Sequence, residues 1–219
     1  MQCVSLTRPN SDPVKILCLG AHADDIEIGC GGTLLTLVEN RRTVQIHWVV
    51  FSARDDRAHE AALSAETLLK GVPQKSVSIM PFRDGFLPFS STEVKEYFEL
   101  LKAEFSPDII FTHYRDDRHQ DHRFISDLTW NTWRDHLILE YEVPKYDGDF
   151  GTPNLFVPIP EALYRRKVDH LLTAFPSQRQ AKYWFTEETF LAVARLRGME
   201  SGPHNRFAEA FYCRKAVLC

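Results

Sequence analysis

The sequence predicts an α/β protein with a mostly parallel sheet, helices on both faces of that sheet and a helical C-terminal extension. Apolar runs rich in strand-forming residues alternate with segments of helical spacing through the first half of the chain. Such alternation is typical of parallel strands that are joined by helices. The 219 residues suffice for one large α/β domain, so we expect a single domain over residues 1–219, with 1–13 as a flexible lead-in.

The strands of the first half are predicted from short apolar runs that fit a sheet buried on both faces. These runs lie at residues 14–21, 43–52, 76–82 and 107–114. Between them, helical spacing is found at residues 31–40, 55–71 and 91–105. The second of these segments begins with two acids and ends at a glycine, as a capped helix does.

The second half of the chain is less regular. Helices are predicted at residues 122–142, 161–175 and 186–199, and a turn-rich loop is predicted around 145–160. The final segment, 206–218, fits a strand that returns to the main sheet, although its pattern also fits a helix.

The composition is that of an ordinary globular protein, with 44% hydrophobic and 26% charged residues. The net charge of -4 and the lack of a basic block argue against a nucleic-acid partner. No apolar run approaches membrane-spanning length, and the N-terminus does not resemble a signal peptide. The five cysteines form no C-x-x-C pair, which argues against a thiolate zinc site or a disulfide framework. We therefore expect a cytoplasmic protein, and the sequence leaves its state as a monomer or homo-oligomer open.

Two strongly polar segments follow the first and the fourth predicted strands. They are GAHADDIEIGCGG at residues 20–32 and HYRDDRHQDHR at residues 113–123. In open parallel sheets, ligands bind at the carboxyl ends of strands. Both segments are therefore candidates for a functional site.

The glycines of the first segment raise the alternative of a nucleotide site. A dinucleotide fingerprint requires G-x-G-x-x-G directly after the strand, whereas this turn carries His22, Asp24 and Asp25. Two carboxylates would also lie where a pyrophosphate must bind, and no G-K-[ST] follows as in a P-loop. The glycines are better explained by close packing of a helix start against the sheet.

The residue types favour a metal site instead. His22 and Asp25 are three residues apart, so both face one point if the chain turns there into a helix, and imidazole and carboxylate groups are zinc ligands. Asp24 then points elsewhere and is available as a base. His119 and His122 repeat the spacing in the second segment. Any one of these residues also fits a helix cap or a turn, but two such clusters at two strand ends favour a shared metal. The spacing alone leaves open which of the two later histidines binds it.

Two motifs then identify a family resemblance. The segment AHADDIEIGCGGTL resembles the A-H-P-D-D-x-E-x-G-C-G-G-T-L signature of the PIG-L/LmbE family of zinc-dependent N-acetyl-sugar deacetylases, and HQDHR resembles that family's H-x-D-H-R motif. The similarity is strong over about residues 14–125 and extends to the Rossmann-like fold. The chain departs from the signature at Ala23, where proline is usual.

The resemblance implies roles for five residues. His22, Asp25 and His122 correspond to the zinc ligands, and Asp24 corresponds to the general base. His119 corresponds to the histidine that stabilises the oxyanion and helps to protonate the leaving amine.

Further positions correspond to the family more loosely. Asp121 is expected to orient a histidine from behind the ligands. Arg57 and Asp84 correspond to substrate-binding positions; alternatively, Arg57 pairs with Glu60 on a surface helix, and Asp84 is a turn residue before a glycine. Asp117 stands where some relatives carry a tyrosine, so a tyrosine-assisted step is not implied for this chain.

The resemblance thus implies removal of an N-acetyl group from an amino sugar that is free, nucleotide-linked or lipid-linked. Zinc is the expected cofactor, although iron and cobalt also accept such ligands. Two alternatives remain: an amidase that acts on a non-sugar amide, and a non-catalytic nucleotide-binding domain on the same scaffold.

Overall fold

The structure is a computed structural model that describes residues 13–39, 43–202 and 204–217. Within these residues the strands are β1 (Val14–His22), β2 (Val44–Ser52), β3 (Gln74–Ile79), β4 (Ile109–His113), β5 (Leu137–Tyr141), β6 (Leu155–Ile159) and β7 (Phe207–Cys213). The helices are α1 (Asp25–Glu39), α2 (Asp55–Leu68), α3 (Ser91–Glu104), α4 (Gln120–Thr132), α5 (Glu161–Ala174), α6 (Pro176–Ala181) and α7 (Glu187–Ser201), and a short 3-10 helix covers Leu87–Ser90.

The strands form one sheet in the order β3-β2-β1-β4-β5-β7-β6. The first five strands are parallel, whereas β7 is antiparallel to both β5 and β6. The prediction of a mostly parallel α/β fold is confirmed. The final segment is a strand that returns to the main sheet, and the helical alternative for it is wrong.

Each face of the sheet has its own apolar core. In β1, Ile16 and Cys18 pack into the core that α1, α2, α5 and α7 cover, whereas Leu17 and Leu19 pack into the core that α3 and α4 cover. Successive side chains of a strand point to opposite faces, so a strand buried on both sides reads as a continuous apolar run. Helices therefore lie on both faces, as predicted.

The sheet reverses its direction of growth at β1. From β1 the chain adds β2 and β3 on one side, and it then adds β4 and β5 on the other. Because β1 and β4 are parallel neighbours, the polar segments that follow them lie at the same edge of the sheet. This edge is a topological switch point, where open α/β sheets bind their ligands.

The first helix begins at Asp25, six positions before the predicted start at residue 31. The GCGG glycines therefore lie inside the helix. A Cβ atom on Gly29 would overlap the ring of Tyr141, and one on Gly32 would lie 2.5 Å from Ile159. The packing explanation of the glycines is confirmed. The predicted start of α1 was too late, because glycine disfavours helix interiors. In this helix, close packing outweighs that cost.

The second half departs most from the prediction. The helix expected over 122–142 ends at Thr132, and its last residues form β5. Strand β6 and helix α6 were not predicted either. An apolar run such as LILEY, buried on both faces, fits a strand or a helix equally well by its spacing.

No helix in the described part of the chain is both long and apolar enough to cross a membrane. Cys18, Cys30 and Cys213 are free thiols. Cys3, Cys219 and the predicted lead-in up to residue 12 lie outside the described residues.

Candidate active site

The first cluster is built where β1 ends and α1 begins. His22 is the last residue of β1, and Asp25 is the first of α1. The turn between them folds Asp25 back, so its Oδ2 accepts the backbone N–H of His22 at 2.6 Å. The same oxygen lies 3.3 Å from His22 Nδ1. The two side chains therefore face one point.

The second cluster supplies a third group from the first turn of α4. Nε2 of His122 lies 3.1 Å from His22 Nδ1 and 3.5 Å from Asp25 Oδ2. The three atoms thus form a nearly equilateral triangle. Ligand atoms of a tetrahedral zinc site with bonds of about 2.0–2.1 Å are separated by roughly 3.3 Å. The residues and their spacing fit a divalent cation.

Two buried carboxylates hold the histidines from behind. Nε2 of His22 lies 3.2 Å from Asp121 Oδ2, and Nδ1 of His122 lies 3.0 Å from Asp117 Oδ2. In metal-binding histidines, the ring nitrogen opposite the metal is commonly held in this way. The structure thus places Asp121 where it orients His22. The contact of Asp117 with His122 was not predicted, because the sequence position of Asp117 gave no sign that it would face this histidine.

The three groups of the triad have pKa values that differ strongly from their ordinary values. Burial and the neighbouring His113 lower the pKa of His122 to about 3, so its ring is neutral and offers a lone pair. Burial would raise the pKa of Asp25, but three surrounding histidines hold it well below its usual range. Burial would likewise lower the pKa of His22, yet the charge of Asp25 and hydrogen bonds to adjacent carboxylates raise it well above its ordinary value. A cation at this site therefore competes with a proton on His22.

His113 lies beneath the triad and takes part in its support. Its ring stacks on that of His122, with the centroids 3.9 Å apart. Its Nε2 accepts the backbone N–H of Ala21 at 2.9 Å and lies 3.2 Å from Asp25 Oδ2. The residue is fully buried, so it supports the side chains of the triad and does not line the cavity.

Asp24 lines the same cavity but stands apart from the triad. Its side chain is buried and accepts no hydrogen bond from any described residue; the nearest cation, Nη2 of Arg57, is 3.9 Å away. Burial and the charge of Asp25 raise the pKa of Asp24, and the positive charges of Lys182 and Arg57 oppose this rise. This carboxylate is available to accept a proton.

His119 caps the N-terminus of α4. Its Nδ1 accepts the backbone N–H of Asp121 at 3.2 Å, so the proton of the neutral ring is carried by Nε2. Burial and the charge of His22 lower the pKa of His119, which keeps the ring neutral. The residue therefore offers an N–H donor beside the triad.

Arg57 and Asp84 extend the site along its rim. Nη1 of Arg57 donates to Asp84 Oδ2 at 2.6 Å, and Asp84 Oδ1 lies 3.2 Å from His22 Nε2. The alternative pairing of Arg57 with Glu60 is wrong, because the carboxylate of Glu60 accepts hydrogen bonds from Ser177. The half-exposed Asp84 remains accessible to a substrate.

The site opens into a cavity of about 410 Å³, including its mouth. Besides the predicted site residues, two loops of the second half line it, with Val143, Pro144, Lys145, Lys182 and Trp184. These loops carry no motif. The only shared sign in the sequence is a repeated Lys-Tyr pair, at 145–146 and 182–183.

The family profile described as PIG-L, GlcNAc-PI de-N-acetylase, matches residues 17–133, which is more than half of the chain. The chain belongs to the PIG-L family. The matched region runs from β1 to the end of α4, so it contains both motifs. The second half of this PIG-L chain, with the two cavity loops, lies beyond the match.

Three solved structures share the fold over most of the chain. The N,N'-diacetylchitobiose deacetylase from Pyrococcus horikoshii is 24% identical, with a TM-score of 0.71 over 94% of this chain and 86% of its own. A conserved protein from Thermus thermophilus is 22% identical, with a TM-score of 0.70 over 94% and 97%. The 4-carboxy-2-hydroxymuconate hydratase GalB from Pseudomonas putida is 16% identical, with a TM-score of 0.75 over 94% and 98%. At these identities the likeness establishes the fold of this PIG-L protein.

Proposed function

We propose that this PIG-L protein is a metal-dependent hydrolase that removes an N-acetyl group from an amino sugar or a sugar conjugate. The observation that carries the proposal is the triangle formed by His22 Nδ1, Asp25 Oδ2 and His122 Nε2, which lies beside an available carboxylate and an N–H donor. The family description and the deacetylase among the similar structures support the reaction class.

Zinc is the proposed metal, and iron or cobalt would accept the same ligands. His22, Asp25 and His122 would hold it. When bound, such a cation supplies a Lewis acid that polarises an amide carbonyl and acidifies water.

Asp24 and His119 supply the proton chemistry. Asp24 accepts a proton from the water that attacks the amide carbonyl. The Nε2–H of His119 donates a hydrogen bond to the developing oxyanion. As the C–N bond breaks, protonated Asp24 delivers its proton to the amine and His119 stays neutral, so the products are acetate and a free amino sugar. The raised pKa of Asp24 suits both accepting and returning the proton.

The substrate contacts are proposed for the rim. The exposed carboxylate of Asp84 is suited to accept hydrogen bonds from sugar hydroxyls. Arg57 fixes that carboxylate through its 2.6 Å contact. Replacement of Arg57 would therefore act on substrate binding through Asp84.

The experiment that tests the base compares Asp24→Asn with the wild type. We expect kcat for acetate release to fall by about 100-fold or more, because general-base catalysis contributes this much, while bound zinc stays at the wild-type level. Asp56→Asn, which changes an exposed aspartate of α2, is the matched control and should keep full activity. Full activity of the zinc-loaded Asp24→Asn protein would contradict the assignment.

A panel of candidate substrates separates the sugar deacetylase from the non-sugar amidase. The hydratase among the similar structures illustrates that one fold supports different reactions. The panel should therefore include N-acetylated sugars, nucleotide sugars and acyl amino acids. Acetate release from acyl amino acids alone would favour the non-sugar amidase. A purified protein that contains nucleotide and binds no metal would favour the non-catalytic alternative.

A further inference from the structure

Two loops place a lysine in the cavity and a tyrosine outside it. Lys145 lies in the loop between β5 and β6, and Lys182 lies in the loop between α6 and α7. The tyrosines that follow them, Tyr146 and Tyr183, are exposed, and their ring centroids lie 5.6 Å apart. The two loops therefore meet at the mouth of the cavity, and each brings a cation towards the site.

The ammonium group of Lys145 is paired with two carboxylates of the protein. Its Nζ lies 2.8 Å from Asp117 Oδ2 and 2.7 Å from Asp149 Oδ2. The pair with Asp117 also supports His122, whose Nδ1 contacts the same carboxylate oxygen. Lys145 is thus part of the scaffold behind the metal ligands. Arg57 is likewise compensated by Asp84.

Lys182 differs from these two cations. Its Nζ has no carboxylate within salt-bridge distance and no hydrogen-bond acceptor among the described residues. It lies over the ring of Trp184, 5.4 Å from the centroid, and its charge lowers the pKa of Asp24, which lines the same cavity. Among the cations that line the cavity, it alone, within the described part of the chain, has no carboxylate partner.

Trp184 provides a second donor without a partner. It lines the cavity and is only 9% exposed, and its indole N–H is buried without a hydrogen-bond acceptor in the described structure. A buried donor that stays unpaired costs free energy, so a polar partner is expected. An indole N–H and an ammonium group can only donate.

We propose that Lys182 and Trp184 form a subsite for an oxyanion, a phosphate or a carboxylate, that the substrate carries beside its N-acetyl group. The inference rests on the proposed function for the site itself and adds the chemical class of the substrate. An oxyanion accepts hydrogen bonds at several oxygens and compensates the charge of Lys182. A neutral sugar hydroxyl could accept one such bond, but it would leave that charge without a counterion.

The test measures binding apart from turnover. The protein is the zinc-loaded Asp24→Asn variant, and the probes are N-acetylglucosamine, its 1-phosphate and N-acetylmuramic acid, titrated by calorimetry. We expect at least one charged sugar to bind about tenfold or more tightly than the neutral sugar, as for hydrogen bonds to charged groups. Preference for the 1-phosphate would identify phosphate as the group, and preference for N-acetylmuramic acid would identify carboxylate.

Substitutions at Lys182 and Trp184 test whether the preference for a charged sugar arises at this subsite. Lys182→Met should abolish it, Lys182→Arg should retain most of it, and Trp184→Phe should weaken it without changing the affinity for the neutral sugar. Lys102→Met, an exposed lysine on α3, is the matched control. An anion could also contact zinc directly, and that contact would persist in Lys182→Met. The contribution of the subsite is therefore the difference in charged-sugar affinity between the proteins with and without Lys182→Met.

Kinetics of the enzyme with Asp24 intact give an independent readout. Lys182→Met should raise KM for the charged substrate about tenfold more than KM for the neutral substrate. Because Lys182 also lowers the pKa of Asp24, any change in kcat should be the same for both substrates. An equal rise of KM for the two substrates would overturn the proposal. Equal or undetectable binding of charged and neutral sugars would overturn it as well. Acetate release without a charge preference rejects only the subsite, and a charge preference without acetate release rejects only the hydrolase.

Discussion

Single carboxylates hold the two histidines of the proposed metal site in place. Asp117 lies 3.0 Å from Nδ1 of His122, and Asp121 lies 3.2 Å from Nε2 of His22. Asp121 also accepts the backbone N–H groups of Gly85 and Leu87 at 2.8 and 3.2 Å, so it joins the loop after β3 to the site. Both carboxylates are buried, which makes their replacement costly.

Replacement of Asp117 by asparagine should weaken metal binding. If its Oδ1 still accepts the backbone N–H of His119, the asparagine presents its amide nitrogen to His122, whereas the flipped amide presents a neutral oxygen to His122 and loses the bond to His119. We expect zinc affinity to fall about 10- to 100-fold, the usual effect of losing a group that orients a ligand. Competition with a chelator measures this, with Asp116→Asn at the exposed neighbouring position as control. Equal affinities of the two variants would show that Asp117 does not orient the ligand.

Residue types and spacing were enough to expect that candidate-site residues close in sequence would lie together. His22 ends β1, and Asp24 and Asp25 follow it, so their geometry depends on a single turn. The contribution of the α6–α7 loop was not predictable. Lys182 and Trp184 reach the cavity only because the α6–α7 loop packs over the sheet edge, and nothing local in the sequence records that packing.

At the level of elements, α1 packs against the sheet through its glycines, which leave no room for a side chain at two positions. Gly29 lies against the ring of Tyr141, whose hydroxyl donates to the carbonyl of Leu19 at 2.7 Å. Because the ring is tethered, it has little freedom to withdraw. The helix carries Asp25 at its start, so this close packing also sets the position of a proposed metal ligand.

A pair of glycine variants tests this packing. Gly29→Ala should lower the free energy of unfolding by about 1–3 kcal/mol, because the added methyl group overpacks against Tyr141. Gly31→Ala is the matched control on the same helix: its Cβ would meet nothing closer than 3.5 Å, at Leu68. Alanine is the better helix former, so we expect Gly31→Ala to raise stability by up to about 1 kcal/mol. Urea unfolding of both proteins gives the comparison, and a loss of equal size in the two would contradict the packing explanation.

Helices and strands were predicted best where their sequence patterns differ from each other. The alternation of strands and amphipathic helices up to β4 was predicted with boundary errors of a few residues, apart from the start of α1. The assignment was wrong over residues 137–141, since a strand buried on both faces has no period that separates it from a helix. The strand order could not be predicted from the sequence either, because it depends on the edge of the sheet to which each new strand is added.

For the molecule as a whole, we expect stability and the proposed metal binding to be coupled through His22. Its folded pKa is raised above the ordinary value of 6.5. Its protonated form therefore stabilises the metal-free fold fully below about pH 6.5, and this contribution is lost as the pH rises through the raised pKa. The metal requires the neutral ring, so its affinity changes in the opposite direction and grows with pH.

The increase in melting temperature caused by zinc should consequently be larger at about pH 8 than at about pH 6. His122 does not set this dependence, because its pKa of about 3 keeps it neutral at both values. Calorimetric melting at a fixed, buffered free zinc concentration measures the effect. In His22→Gln the zinc-induced increase should be largely lost at both pH values, whereas His59→Gln, at an exposed position of α2, should behave as the wild type. A zinc effect of the same size at both pH values in the wild type would mean that His22 is not the group that the cation displaces from its proton.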